Sequence, residues 1–151
     1  MSMKTKQFTQ FQALLARVME QSPFYQRKFQ AAGFDPAGVQ TIGDIASVPF
    51  TTKEELREAY PLDVQAVPDE DVVRIHSSSG TTGKPIIIPY TKGDVDVWAD
   101  MMCRCMQVAG LTARDRVQIT PGYGLWTAGI GFQAGAEKLG AMAIPMGPGN
   151  T

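Results

Sequence analysis

From Pro68 onward the sequence alternates short β-branched runs with amphipathic helical stretches, and that order restricts the possible folds more than any other feature. Val72-Val-Arg-Ile-His76 reads as a strand, and Ile86-Ile-Ile-Pro-Tyr90 as a second strand ended by its proline. Thr91 then caps a long helix, with Asp94 at its third position and Val95, Trp98, Met102, Cys105 and Ala109 on one apolar stripe. Gly110 terminates it. A strand at 117–120, a helix at 126–139 and a strand at 141–145 follow. Strand, helix, strand, helix, strand predicts an α/β layer with a mainly parallel sheet.

Residues 1–68 read differently, as a helical region punctuated by prolines. Phe8, Phe11, Leu14, Leu15, Val18 and Met19 recur at helical spacing within 5–21, and Ser22-Pro23 stops the run. A shorter helix starts at Pro23 and ends at Gly33. Thr41 with Asp44, and Thr52 with Glu55, place a hydroxyl three residues before a carboxylate, so each pair opens a short helix. The α/β part then spans 69–151 and stops directly after a strand, so the sheet is expected to lack a neighbour and the domain to be incomplete. Free strand edges of that kind invite pairing with another copy of the chain.

Charge removes some partners. Fourteen Lys+Arg face 15 Asp+Glu, a net charge of −1, so no broad basic field exists to hold nucleic acid or an anionic membrane. An anion must be held locally. No apolar run approaches the roughly 18 residues of a spanning helix, and the N-terminus lacks a secretory apolar stretch, so the expected compartment is the cytoplasm. Cys103 and Cys105, two apart on a helix, point to different sides and read as buried or half-buried reduced thiols.

The segment with anion chemistry is Ser77-Ser78-Ser79-Gly80-Thr81-Thr82-Gly83-Lys84, between the first two strands. Backbone N–H groups in a glycine-bearing turn curl into a concavity, hydroxyls add donors and the lysine adds charge, which suits a polyphosphate. A polar hairpin turn is the alternative. It is not a Walker A loop, because Ser78 stands at the first glycine position and Pro85 where the magnesium-binding hydroxyl belongs. Gly129-Ile-Gly131-Phe-Gln-Ala134 matches a dinucleotide spelling but lies within a helix, where small residues let the helix sit close to the sheet. His76 ends the strand entering the loop; it is either structural or a donor to a phosphate or acyl oxygen. Pro121-Gly-Tyr-Gly-Leu-Trp126 follows a strand at its carboxyl end, where open α/β sheets bind ligands, so Tyr123 and Trp126 are either one wall of an apolar pocket or core aromatics.

Arg74-Ile-His-Ser-Ser-Ser-Gly-Thr-Thr-Gly-Lys-Pro85 resembles the phosphate-binding signature of adenylate-forming enzymes, in their phenylacetate–CoA ligase branch. The resemblance extends to Ser22-Pro-Phe-Tyr25, Pro49-Phe-Thr-Thr-Lys53, Tyr60-Pro61, Tyr123-Gly-Leu-Trp126, Gly135-Ala-Glu-Lys-Leu-Gly140 and the ending Ile144-Pro145 to Gly149-Asn-Thr151. It implies an AMP-binding subdomain that uses ATP and magnesium to turn a carboxylic acid into an acyl-adenylate and then passes the acyl group to coenzyme A. By the same resemblance, Ser78–Lys84 would hold the β- and γ-phosphates, with Thr81 and Thr82 as hydroxyl donors, and Tyr123, Gly124, Trp126 and Phe132 would line the acid pocket. Pro121, Trp126 and Phe132 depart from the family pattern, respectively an aromatic, Phe and a small residue, which implies an acid smaller than phenylacetate or differently shaped. Family members are much longer; the adenine and ribose contacts, a magnesium-holding glutamate and the small C-terminal domain with its lysine would lie beyond Thr151. The isolated chain is therefore expected to be an inactive fragment. A non-catalytic phosphate-binding module and a structural subunit on the same fold are the competing expectations.

Overall fold

The computed structural model describes residues 3–78 and 83–149. The chain divides into two compact units, Met1–Asp69 and Glu70–Thr151.

In the first unit, α1 (Met3–Gln21) is followed at once by α2 (Pro23–Ala31). Ser22 explains the sharp junction: it is fully buried, stands as the N-cap of α2, and its Oγ donates to Val64 O at 3.2 Å. Phe24 N–H donates to Asp63 O at 3.0 Å, which ties the same corner to the end of the unit. The core forms around Leu15, Phe29 and Val39, with Phe8, Phe11, Val18, Tyr25, Phe34 and Val48 packed against it. Leu14 and Met19, expected on that stripe, are exposed. The seam is narrower than the apolar pattern because only about a 100° arc of a helix faces a neighbour. Thr52 and Glu55 form the expected capping box at the start of α3 (Lys53–Glu58), with Thr52 N–H donating to Glu55 Oε2 at 2.7 Å. Thr41 and Asp44 likewise open a short helix, Ile42–Ser47, of the 3-10 kind.

In the second unit, β1 (Val72–Ser77) pairs antiparallel with β2 (Ile87–Thr91), Ile75 lying opposite Pro89 and His76 opposite Ile88. This differs from a mainly parallel sheet. The short loop between Ser78 and Ile86 can only turn the chain back, whereas a parallel pair needs a crossover of about a dozen residues. Pro89 does not end the strand either. It sits within β2, which has no second neighbour among the described residues, so its missing N–H is tolerated at an edge. Thr91 caps α4 (Lys92–Val108), with Asp94 returning the bond to Thr91 N–H at 2.9 Å. The covered face of α4 carries Cys103 and Met106, while Cys105 and Ala109 are exposed. The expected stripe thus drifts by one residue in its second half, because 98, 102 and 106 follow one i+4 ridge and 105 leaves it. Both thiols are free, Cys103 buried and Cys105 exposed rather than half-buried.

The parallel pairing is present further along. β3 (Arg116–Ile119) and β4 (Met142–Pro145) pair in parallel, joined by the crossover helix α5 (Ala128–Leu139), which Gly140 ends with φ +83. α5 packs along α4 through its glycines: a Cβ on Gly131 would lie 2.6 Å from the Trp98 ring, and one on Gly135 2.6 Å from Met102 Cβ. The small residues therefore admit a second helix, not the sheet. The α/β class with a helical N-terminal region holds, built on two small sheets.

Candidate functional site

β1 delivers the candidate site. Its last residues, His76 and Ser77, stand at the foot of the serine/threonine/glycine loop, and two bonds close the base. Ser78 N–H donates to Ile86 O at 3.0 Å, and Ile86 N–H donates to Ser78 Oγ at 3.1 Å. Ser79, Gly80, Thr81 and Thr82 lie outside the described residues. On the return side Gly83 has φ +116, a conformation that side-chain-bearing residues rarely adopt, and both Gly83 and Lys84 are exposed.

The segment after β3 reaches the same place. Leu125 O accepts two hydrogen bonds, from Ser77 N–H at 2.9 Å and from His76 Nδ1 at 2.9 Å. One carbonyl thus joins the foot of the loop to the 121–127 segment. Because a carbonyl only accepts, this bond requires the proton on Nδ1, which makes Nε2 of a neutral ring an acceptor. Nε2 is buried and has no partner among the described residues, and the residue is 3% exposed. Its ring meets Tyr90 and Trp98 edge-on, with centroids at 5.6 and 5.1 Å, and Tyr90 stacks on Trp98 at 5.5 Å. Burial, and after it the Asp94 carboxylate, holds the Tyr90 hydroxyl above the usual phenol range, so this wall stays neutral at physiological pH.

Backbone contact fixes the other side of the segment. A Cβ on Gly129 would lie 2.6 Å from Gly122 O and 3.0 Å from Pro121 O, so the first turn of α5 sits directly on the loop. α5 starts at Ala128, two residues later than the sequence predicts, because the chain still bends through 124–127. Tyr123, Trp126 and Phe132 are 39%, 53% and 40% exposed, so they are not core aromatics of this unit. Gly124 has open space at its Cβ position.

The structure thus brings His76, Ser77 and Ser78 together with the 121–127 segment. Sequence reasoning missed Leu125, whose part is played by a backbone carbonyl and leaves no trace in residue type. It also missed the pairing of His76 with Tyr90 and Trp98; the signal was their strand and helix positions, which become neighbours only once β1 and β2 are registered. Among the described residues, no three His, Cys, Asp or Glu side chains converge on a metal position, and no helix is long and apolar enough to cross a membrane.

No protein-family model matches the chain. It is 48% identical over 137 residues to the phenylacetate-coenzyme A ligase of Escherichia coli K12, covering 91% of this chain and 31% of that protein. It is 46% identical over 132 residues to the phenylacetate-coenzyme A ligase of Aromatoleum evansii, covering 87% and 30%. Among solved structures it resembles 2-hydroxyisobutyryl-CoA ligase in complex with 2-HIB-AMP and CoA, with a TM-score of 0.86, 33% identity, and 97% and 32% of the two chains covered. The chain spans about a third of the length of the curated relatives it matches.

Proposed function

We propose that this chain, which belongs to the phenylacetate–CoA ligase branch of the adenylate-forming enzymes, supplies the phosphate loop and part of the acid pocket of an AMP-forming acid–CoA ligase as its N-terminal portion. The observation that carries this reading is the Leu125 carbonyl, which binds the foot of the loop and the aromatic segment to each other. Acyl-adenylate formation requires the acid carboxylate beside the nucleotide phosphates, and holding both in one geometry removes much of the entropic barrier.

In this reading Ser77 to Lys84 cradle the β- and γ-phosphates, with the hydroxyls of Thr81 and Thr82 as donors and Lys84 supplying charge. The carboxylate oxygen of the acid attacks the α-phosphorus and pyrophosphate leaves. The coenzyme A thiol then attacks the acyl carbon and AMP leaves. Magnesium, when bound with ATP, would neutralise charge on the phosphates. Tyr123, Gly124, Trp126 and Phe132 line the acid side, and the bulk of Trp126 and Phe132 favours an acid smaller than phenylacetate or differently shaped. A ligase of this fold that carries 2-HIB-AMP accommodates a small acid. In this reading the reaction is a cytoplasmic one, with the small carboxylic acid, ATP and coenzyme A as its partners. The edges of β2 and β3, unpaired among the described residues, also support self-association, which sedimentation of the chain would check.

The test is a chimera in which this chain replaces the matching third of a phenylacetate–CoA ligase. Acid-dependent exchange between ATP and pyrophosphate is expected in the chimera and absent from the 151-residue chain alone. A folded chimera that gives no exchange with any carboxylic acid overturns the reading.

A further inference from the structure

Among the described residues of this unit, His76 is the buried polar side chain. His76 is 3% exposed, its Nδ1 lies 2.9 Å from Leu125 O, and Nε2 has no partner. A second bond to the same carbonyl comes from the N–H of the next residue, Ser77, also at 2.9 Å. The two donors arrive from one strand end and converge on one acceptor. Among the described residues Nε2 has no partner, so the ring's directional polar contact there is the one that holds the 121–127 segment.

We propose that His76 is a positioning residue: it stays in the Nδ1–H tautomer and pins the substrate-side segment, through Leu125 O, to the foot of the phosphate loop. The aromatic pair Tyr90 and Trp98 holds the ring edge-on at 5.6 and 5.1 Å, which fixes the direction of the Nδ1–H bond. Nε2 is enclosed in the same buried setting and not presented to solvent. His76 therefore acts through Leu125 on where Tyr123 and Trp126 stand, and its effect falls on the acid side. The part of this inference that concerns the acid rests on the ligase reading; the tautomer and the pinning do not.

The chain contains a single histidine, so a long-range proton–nitrogen correlation spectrum of the 15N-labelled protein reports His76 without ambiguity. Protonated Nδ1 with unprotonated Nε2 is expected; the opposite tautomer overturns the proposal. Amide hydrogen exchange on the same chain reads the pinning. His76→Ala should speed exchange of the Ser77 amide about tenfold, the size of one lost hydrogen bond, while the amides of α1 and α2 are unchanged. His76→Asn, which keeps an N–H near the Nδ1 position, should restore protection, and His76→Gln, which places its amide nearer Nε2, should not. Unchanged Ser77 exchange in a folded His76→Ala protein, or rescue by Gln as good as by Asn, overturns the pinning. In an active chimera, His76→Ala should raise KM for the acid about tenfold and KM for ATP less than about threefold, because a misplaced pocket wall weakens acid binding selectively. An equal rise in both overturns the acid-side role. A wild-type chimera without activity counts against the ligase reading alone, and the spectrum and the exchange data still decide the tautomer and the pinning.

Discussion

Gly135 has no room for a methyl group. A Cβ there would meet Met102 Cβ at 2.6 Å, the Met102 carbonyl carbon at 3.0 Å and the Cys103 nitrogen at 3.1 Å, two of them backbone atoms that cannot rotate aside. In an exposed helix, Gly→Ala gains about 1 kcal/mol of helix propensity. Here overpacking opposes it at about 1–3 kcal/mol, so Gly135→Ala is expected to destabilise the second unit, read as a lower urea midpoint. A neutral or stabilising result would mean that α4 and α5 separate more easily than their packing implies. Gly131 stands under the same constraint against the Trp98 ring, which in turn touches His76, so the glycines of α5 brace the site from behind. Their spelling could suggest a dinucleotide loop; only their helical context, legible in the sequence, argues otherwise, and the identity of the neighbour as α4 was not legible at all.

Capping carries much of the element-level stability, and each cap is a local device of three or four residues. Thr91 Oγ1 accepts from Asp94 N–H at 3.2 Å, so Thr91→Ala should cost about 1 kcal/mol in chemical denaturation by freeing that donor. Other caps set an acid limit. Backbone N–H bonds from Thr41 and Thr112 hold Asp44 and Asp115 below the usual carboxylate range, and Lys28, then the Thr52 backbone, does the same for Glu55. A carboxylate lowered in the folded state binds its proton later than in the unfolded chain. Its stabilisation is complete above the unfolded value of about 4 and is lost as pH falls through the lower folded value. Urea midpoints should therefore fall as pH drops below about 4, and Asp44→Asn and Asp115→Asn should each flatten that fall; an unchanged acid slope in both variants would refute the assignment. Thr52, Thr91 and Gly110 announce their helices in the sequence because a cap depends on near neighbours alone. The antiparallel pairing of β1 with β2 and the rotation of the α4 face do not, because both are decided by what packs from elsewhere in the chain.

At the scale of the whole molecule, the sequence made the site legible as two separate segments, a hydroxyl-rich loop and an aromatic turn, but not as one place. What joins them is a carbonyl, and backbone acceptors are the same at every residue. The family relation covers about a third of the relatives' length, and under the proposed ligase reading the identity of the acid rests with the side chains of the 121–132 stretch. Tyr123, Trp126 and Phe132 keep 39%, 53% and 40% of their surface exposed, so their bulk is spent on whatever occupies the space beside them and not on this unit's core. In the chimera, kcat/KM across a ladder of short aliphatic and aryl acids should favour an acid smaller than phenylacetate. If Phe132 lines the acid pocket as proposed, Phe132→Ala should shift the ratio toward phenylacetate by about tenfold or more, the scale on which an apolar pocket discriminates by size. His76→Asn should leave that ratio near the parent value, since it preserves the Leu125 bond and removes nothing that faces the acid. A parent that already prefers phenylacetate clearly over smaller acids would sink the size argument while leaving the ligase chemistry intact, because the phosphate loop and the pocket wall contribute to different steps of recognition.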